Sequence, residues 1–243
     1  MNTLSNLQAL TQTSFDSGSL GGLGVIVHRM NQPGDHQVKV FQTERLLQTY
    51  SLRVVAAAPN AGQVNIDLSH ALGRLNQLSP RPPEDLVVAV SGYAVFHAPP
   101  GVSGLAVQLQ SPGAKDQPPV FDNRQLKDGD IFAVTIFRPG RYSLTNTIGG
   151  AKGELQVSYP VVGDTPYVPP DPLQAQVTAQ GFQPGSLQLQ PAQGIVFTIN
   201  NTAARIQIEL VAPDDGPAKP GSPVKPVTRG PSRSWQKPGP PQK

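Results

Sequence analysis

Ile131-Phe132-Ala133-Val134-Thr135-Ile136-Phe137-Arg138-Pro139-Gly140-Arg141-Tyr142-Ser143-Leu144 is the stretch that decides the fold class. Its first seven residues are almost all β-branched or aromatic, which suits a pleated, half-buried backbone. Arg138-Pro139-Gly140 then punctuates it, because Pro presets one turn dihedral and Gly accepts a positive one. Tyr142–Leu144 resumes the strand pattern. Strand, turn and strand within fourteen residues predicts a β protein with short connections.

The same pattern extends outward in both directions. Toward the amino terminus, residues 25–27, 36–41, 50–55 and 64–68 read as strands, with Pro33-Gly34-Asp35 turning the chain between the first two. Val38 and Val40 alternate with Gln37 and Lys39, the period of a strand with one buried face. Residues 86–90, 93–96, 105–109 and 155–159 continue the series, followed by a final block at 175–179, 186–190, 195–200 and 205–211. One helix is predicted near 68–78, where Leu68, Leu72, Leu75 and Leu78 share a face, Asp67 or Ser69 caps the start, and Pro80, Pro82 and Pro83 stop it. An internal repeat is suggested by Pro99-Pro100-Gly101 before Leu105–Gln110 and Gln183-Pro184-Gly185 before Ser186–Gln190.

These signals predict a mainly β chain: an antiparallel Greek-key β-sandwich or sandwiches, a short helix near 68–78 and a disordered carboxy-terminal tail. The expected organisation is a flexible leader at 1–22, a β-sandwich region at 23–160, a Pro-rich linker at 161–172, a β block at 173–212 that packs on or completes the sandwich, and a basic Pro-rich tail at 213–243.

Composition narrows the chemistry. The 243 residues contain no Cys, which removes disulfides, thiolate metal sites and thiol catalysis. No run of apolar residues approaches a membrane span. Net charge is +3, yet residues 216–243 carry six Lys or Arg and no acid, leaving the rest at about −3. Basicity therefore belongs to the tail, and no basic nucleic-acid-binding face follows from it. The first fifteen residues lack Lys, Arg and a continuous apolar block, so the chain as written reads as cytoplasmic, with export or a surface assembly as the alternative.

Two segments resemble pieces of the cupredoxin fold, the small Greek-key sandwich of blue-copper proteins. Residues 181–187 through 195–201, with Phe182-Gln183-Pro184 before an apolar strand ending in Asn200, are similar to the family's amino-terminal half. Leu126-Lys127-Asp128-Gly129-Asp130, Phe137–Tyr142 and Gly153–Val157 are similar to its carboxy-terminal half. The halves stand in reversed order. The resemblance places the family's copper ligands at Arg205, Asn146, Ile148 and Lys152, where no thiolate, imidazole or thioether stands. It therefore implies a copper-free scaffold.

Candidate catalytic groups are sparse. His28 and His36 face one another across a predicted hairpin beside Asp35, and a weak surface metal site is one reading of them. Unrelated strand or loop histidines are the other, and His70 and His97 are read as exposed or strand-end residues. Asp122, Asp128 and Asp130 form the main carboxylate group, but Asp128-Gly129-Asp130 lacks an EF-hand ladder and reads as a tight turn. Gly21-Gly22-Leu23-Gly24 precedes a strand, whereas a dinucleotide loop follows one and opens a helix. Gly101-Val102-Ser103-Gly104 falls short of a nucleophile elbow, and Asn200-Asn201-Thr202 matches a glycosylation acceptor. Tyr93, Tyr142 and Tyr159 are candidates for an aromatic ligand platform.

In the tail, Pro217, Pro220, Pro223 and Pro226 recur at the three-residue period of a polyproline II helix. Lys219, Lys225, Arg229, Arg233, Lys237 and Trp235, the one Trp in the chain, are the candidate partner-binding residues, for a protein or a polyanion. The leading functional expectation is a non-catalytic structural or protein-interaction protein without cofactor, self-assembly included. A carbohydrate or small-ligand module, and a hydrolase using loop Asp and His residues, are the alternatives.

Overall fold

The computed structural model describes residues 8–57, 61–72, 86–113, 117–160, 166–214 and 216. The chain is mainly β. In order, the strands are β1 (Ser14–Asp16), β2 (Gly24–Arg29), β3 (Gly34–Gln42), β4 (Arg45–Val55), β5 (Gln63–Asp67), β6 (Leu86–Ala89), β7 (Tyr93–His97), β8 (Leu105–Gln110) and β9 (Phe121–Asp122). They continue with β10 (Ile131–Ile136), β11 (Gly140–Asn146), β12 (Lys152–Val157), β13 (Leu173–Thr178), β14 (Gly181–Gln183), β15 (Ser186–Leu189), β16 (Gln193–Ile199) and β17 (Ile206–Pro213). A short 3-10 helix spans Leu68–Leu72.

Three sheets form. A seven-stranded sheet runs β14-β13-β16-β10-β2-β7-β5, flanked by β1-β17-β11-β12-β15 and β6-β4-β3-β8-β9. Burial alternates along most strands, as one-sided packing requires; β10 buries Phe132, Val134 and Ile136. Each five-stranded sheet packs on one part of the seven-stranded one. Phe96 of β7 stacks on Phe121 of β9 with ring centroids 5.6 Å apart, and Phe182 of β14 closes over Gly153 of β12. A single cluster of buried residues runs from Phe15 to Ile208.

The molecule consists of two equivalent halves. In the first, β3 pairs antiparallel with β4 and β8, β2 with β7, and the pairs β4/β6 and β5/β7 are parallel. In the second, β11 pairs antiparallel with β12 and β17, β10 with β16, and the pairs β12/β15 and β13/β16 are parallel. Detail recurs as well as topology. The lone bridge Leu20↔Leu105 is matched by Leu126↔Ala204. Ser91 and Ala192 hold left-handed φ values of 66° and 64° in matching turns, donating to the carbonyls of Met30 and Ile136. His36 Nε2 contacts the Gln32 carbonyl at 2.9 Å, and Tyr142 Oη donates to the Arg138 carbonyl at 2.8 Å, so both buried side chains tie down the carbonyl four residues back. Equivalent strands β2 and β10 pair antiparallel, which places a local twofold relation between them.

Short end strands are exchanged across that relation. β1 begins the first half but pairs with β17, while β9 begins the second half and pairs with β8. Phe15 lies opposite Ile208, and Phe121 opposite Leu109.

Several expectations need correction. The antiparallel Greek-key sandwich is replaced by mixed sheets. From β4 to β7, and again from β12 to β16 apart from the short β14, which pairs antiparallel with β13, the chain winds alternately through two sheets and lays each later strand parallel to an earlier one, a solenoid-like coil. Alternating burial specifies which face of a strand is buried and leaves the direction of its neighbour open. The helix expected near 68–78 is a 3-10 turn over Leu68–Leu72; residues 73–78 lie outside the described residues. The leader is structured where it is described: residues 8–11 are helical, β1 starts at Ser14, and Phe15, Ser17 and Leu20 are all buried. The suggested repeat joined β8 to β15, whereas the true equivalents of β8 and β6 are β17 and β15. The block at 173–212 supplies strands to two sheets and so shares their core. Residues 166–172 carry no strand or helix, and 161–165 lie outside the described residues. Among the described residues no helix is long and apolar enough to cross a membrane.

Gly34 and Gly140, each preceded by Pro, open the equivalent strands β3 and β11 with φ of 126° and 150°. A Cβ on Gly140 would lie 2.6 Å from the Ala212 carbonyl oxygen, whereas one on Gly62 meets nothing within 4 Å. Gly140→Ala should therefore cost roughly 1–3 kcal/mol and Gly62→Ala less than about 0.5 kcal/mol, measured by urea unfolding.

Candidate functional site

Polar side chains concentrate where the exchanged strands meet. The Asp16 carboxylate accepts from Arg205 Nε at 3.0 Å and Nη2 at 2.8 Å, from Gln207 Nε2 at 3.0 Å and from the Gly18 N–H at 2.8 Å. Its equivalent, Asp122, accepts from Arg124 Nε at 3.0 Å and Nη2 at 2.9 Å, from Gln108 Nε2 at 2.9 Å and from the Arg124 N–H at 3.0 Å. Gln207 and Gln108 are equivalent residues of β17 and β8. The arginines are not: Arg124 stands where the first half has Gly18, and Arg205 where it has Ala106. The guanidinium reaches the same place from different points of the chain, and a side chain at Gly18 would collide with Arg205.

Ser17 and Asn123 form the adjoining equivalent pair, both wholly buried. Ser17 Oγ accepts from the Ile206 N–H at 3.0 Å, and Asn123 Oδ1 accepts from the Val107 N–H at 2.8 Å. Asn123 Nδ2 then donates 2.7 Å to the Ser17 carbonyl, linking the halves directly. Burial alone would raise the Asp16 and Asp122 pKa values. The hydrogen bonds from arginine, glutamine and backbone N–H, with the arginine charge, outweigh it and hold both below the ordinary carboxylate range. The same bonds raise the two arginines further.

A second polar group breaks the symmetry. His28 Nδ1 lies 2.7 Å from Asp130 Oδ1, across the β2–β10 junction. The equivalent positions hold Val134 and Gly24. Asp130 is buried, its other oxygen accepting from the Lys127 N–H at 2.7 Å, and the His28 ring packs 4.6 Å from that of Phe121. His28 and His36, from two sheets, line one cavity of about 160 Å³ with Met30, Leu109 and Val120 among its walls. Asp35 does not join them; it faces outward and pairs with Arg53 Nε at 3.0 Å. Sequence reasoning brought the two histidines together but chose the wrong carboxylate, since Asp130 is 102 residues from His28.

The other candidates scatter. Tyr142 is wholly buried in the core, and burial pushes its hydroxyl up to about 12. Tyr93 and Tyr159 are exposed, Tyr93 on the seven-stranded sheet and Tyr159 beyond β12, so the expected tyrosine platform does not form. Asp128-Gly129-Asp130 is a turn, with the Asp130 N–H donating to the Lys127 carbonyl and Asp128 accepting from the Asn201 N–H at 2.7 Å. Among the positions the resemblance assigned to copper ligands, Asn146 is buried: Oδ1 accepts from the N–H groups of Ile148 and Arg205, both at 3.1 Å, and Nδ2 donates to the Ala203 carbonyl at 3.2 Å. Lys219, Lys225, Arg229, Arg233, Trp235 and Lys237 lie outside the described residues. An open groove of about 760 Å³ that sequence reasoning missed crosses β11 and β12, lined by Arg141, Ser143, Thr145, Lys152, Glu154 and Val211 among others. Outward-facing strand residues of this kind carry no motif to signal it.

No protein-family model matches the chain, and neither a curated protein nor a solved structure matches it.

Since Asp16 and Asp122 titrate lower folded than unfolded, their stabilisation is full above the ordinary Asp value of about 3.9 and is lost as pH falls through their depressed native values. Urea unfolding should show stability falling below about pH 4, less steeply in the double variant D16N/D122N. At neutral pH each single substitution should cost about 1–3 kcal/mol.

Proposed function

We propose that this chain is a non-catalytic structural or protein-interaction protein, a two-part β scaffold that presents a basic, Pro-rich tail. The observation that carries the reading is the use made of two half-buried acids. Asp16 and Asp122 are saturated by intramolecular donors in matching arrangements, where they tie exchanged strands together. A carboxylate held by a bidentate arginine and an amide has little capacity left for proton transfer. The cupredoxin-like resemblance enters the proposal as a scaffold relationship, with the carboxamide of Asn146 joining loops where the family would hold metal.

In this reading the tail does the recognising. Lys219, Lys225, Arg229, Arg233 and Lys237 supply charge, Pro217, Pro220, Pro223 and Pro226 recur at three-residue spacing, and Trp235 supplies an anchor. A small-ligand reading draws on the groove over β11 and β12, where Arg141, Lys152 and Glu154 flank Ser143 and Thr145; Arg141→Ala with Lys152→Ala would weaken such a ligand and leave tail-dependent binding intact.

The test is affinity capture from the native source with the full chain and with residues 217–243 deleted. The expected result is a partner retained only by the full chain, and lost at least tenfold when Trp235, Arg229 and Arg233 are replaced together by Ala. Equal capture by both chains would overturn the assignment to the tail.

A further inference from the structure

His36 is a wholly buried residue whose equivalent in the other half has a different chemistry. In the second half Tyr142 occupies this place and uses its hydroxyl on the Arg138 carbonyl. His36 makes the matching contact through Nε2 to the Gln32 carbonyl. A carbonyl only accepts, so Nε2 carries the proton and Nδ1 keeps a lone pair. That Nδ1 is buried, with no hydrogen-bond partner among the described residues, and the residue is 1% exposed. A buried acceptor left in this way is costly, and Tyr142 avoids the problem. His36 Nδ1 is thus an available donor atom in the wall of the cavity.

The cavity wall supplies matching donors. The Asp130 carboxylate accepts from His28 Nδ1–H, so the neutral ring presents its lone pair at Nε2. This is the arrangement by which a carboxylate orients a metal-binding imidazole. Met30, 1% exposed and just past the end of β2, two residues from His28, lines the same cavity and carries a thioether. The sites equivalent to His28 and Met30 hold Val134 and Ile136, so all three donors appear together in one half and are absent from the other.

We propose that this cavity binds one cuprous ion through the imidazoles of His28 and His36 and the thioether of Met30. Two imidazoles and a thioether are a soft, low-coordinate set. Zinc would require a fourth ligand of N, O or S type, and among the described residues no three His, Asp or Glu side chains group as a metal site. None of these donors occupies a position to which the cupredoxin resemblance assigns a ligand, and the proposal stands apart from the role given to the tail.

The full chain is titrated anaerobically with cuprous ion against a chromophoric cuprous chelator, beside the variants H28Q, M30L and D130N. One equivalent should bind, with X-ray absorption reporting one sulfur and two nitrogen scatterers. M30L should remove the sulfur scatterer, and H28Q should weaken binding at least tenfold. D130N should weaken it by about 10- to 100-fold, the usual effect of losing a group that orients a ligand. H36Q tests the buried donor, and circular dichroism accompanies every variant so that only folded protein is compared. Binding that survives in a folded H28Q/M30L double variant, a spectrum without sulfur, or equal stoichiometry and affinity for zinc would each overturn the site.

Discussion

The exchange of β1 and β9 is the constraint on which the architecture depends. Each half has its own coil and its own hairpins, yet the strand beside β17 comes from the first half and the strand beside β8 from the second. Phe121 shows why neither half closes alone. It belongs by sequence to the second half, but its ring stacks on Phe96 and packs against His28 in the first. Removing a stacked, fully buried aromatic would cost about 3–5 kcal/mol, a large share of the stability of an ordinary domain. The central β2–β10 pairing then joins the two parts of the seven-stranded sheet.

The polar chemistry follows that constraint. Exchanged strands bring backbone groups into the interior, and buried groups require partners. Ser17 and Asn123 satisfy Ile206 and Val107 from equivalent positions, and Asp16 and Asp122 gather matching donors around them. The two arginines show that the requirement is for a charge at a place, since Arg205 and Arg124 fill it from positions that are Ala and Gly in the opposite half. Departures from symmetry are therefore informative. Where Val134 and Ile136 pack as simple core, His28 and Met30 stand at the wall of a cavity.

Much of this was written locally. Residues 131–144, and the alternation of Val38 and Val40 with Gln37 and Lys39, identify strands because side-chain burial and turn chemistry act over a few residues. Strand positions in both halves were legible on that basis. The short strands β1, β9 and β14 were not, since two or three residues carry no period. The repeat also left a trace: Phe15-Asp16-Ser17-Gly18-Ser19-Leu20 beside Phe121-Asp122-Asn123-Arg124-Gln125-Leu126, and Pro33-Gly34 beside Pro139-Gly140. Shared residues are so few that a Gln-rich likeness between unrelated strands was the louder signal.

Sequence by itself determined that the chain builds strands and turns, has no thiol chemistry and concentrates its positive charge after residue 216. Only tertiary structure decided which strands run parallel, which half each end strand joins, and that Asp130 rather than Asp35 holds His28. The physical reason is range. Propensity, alternation and turn geometry are properties of adjacent residues. Ladder direction, strand exchange and a carboxylate meeting an imidazole 102 residues away depend on how whole sheets find one another.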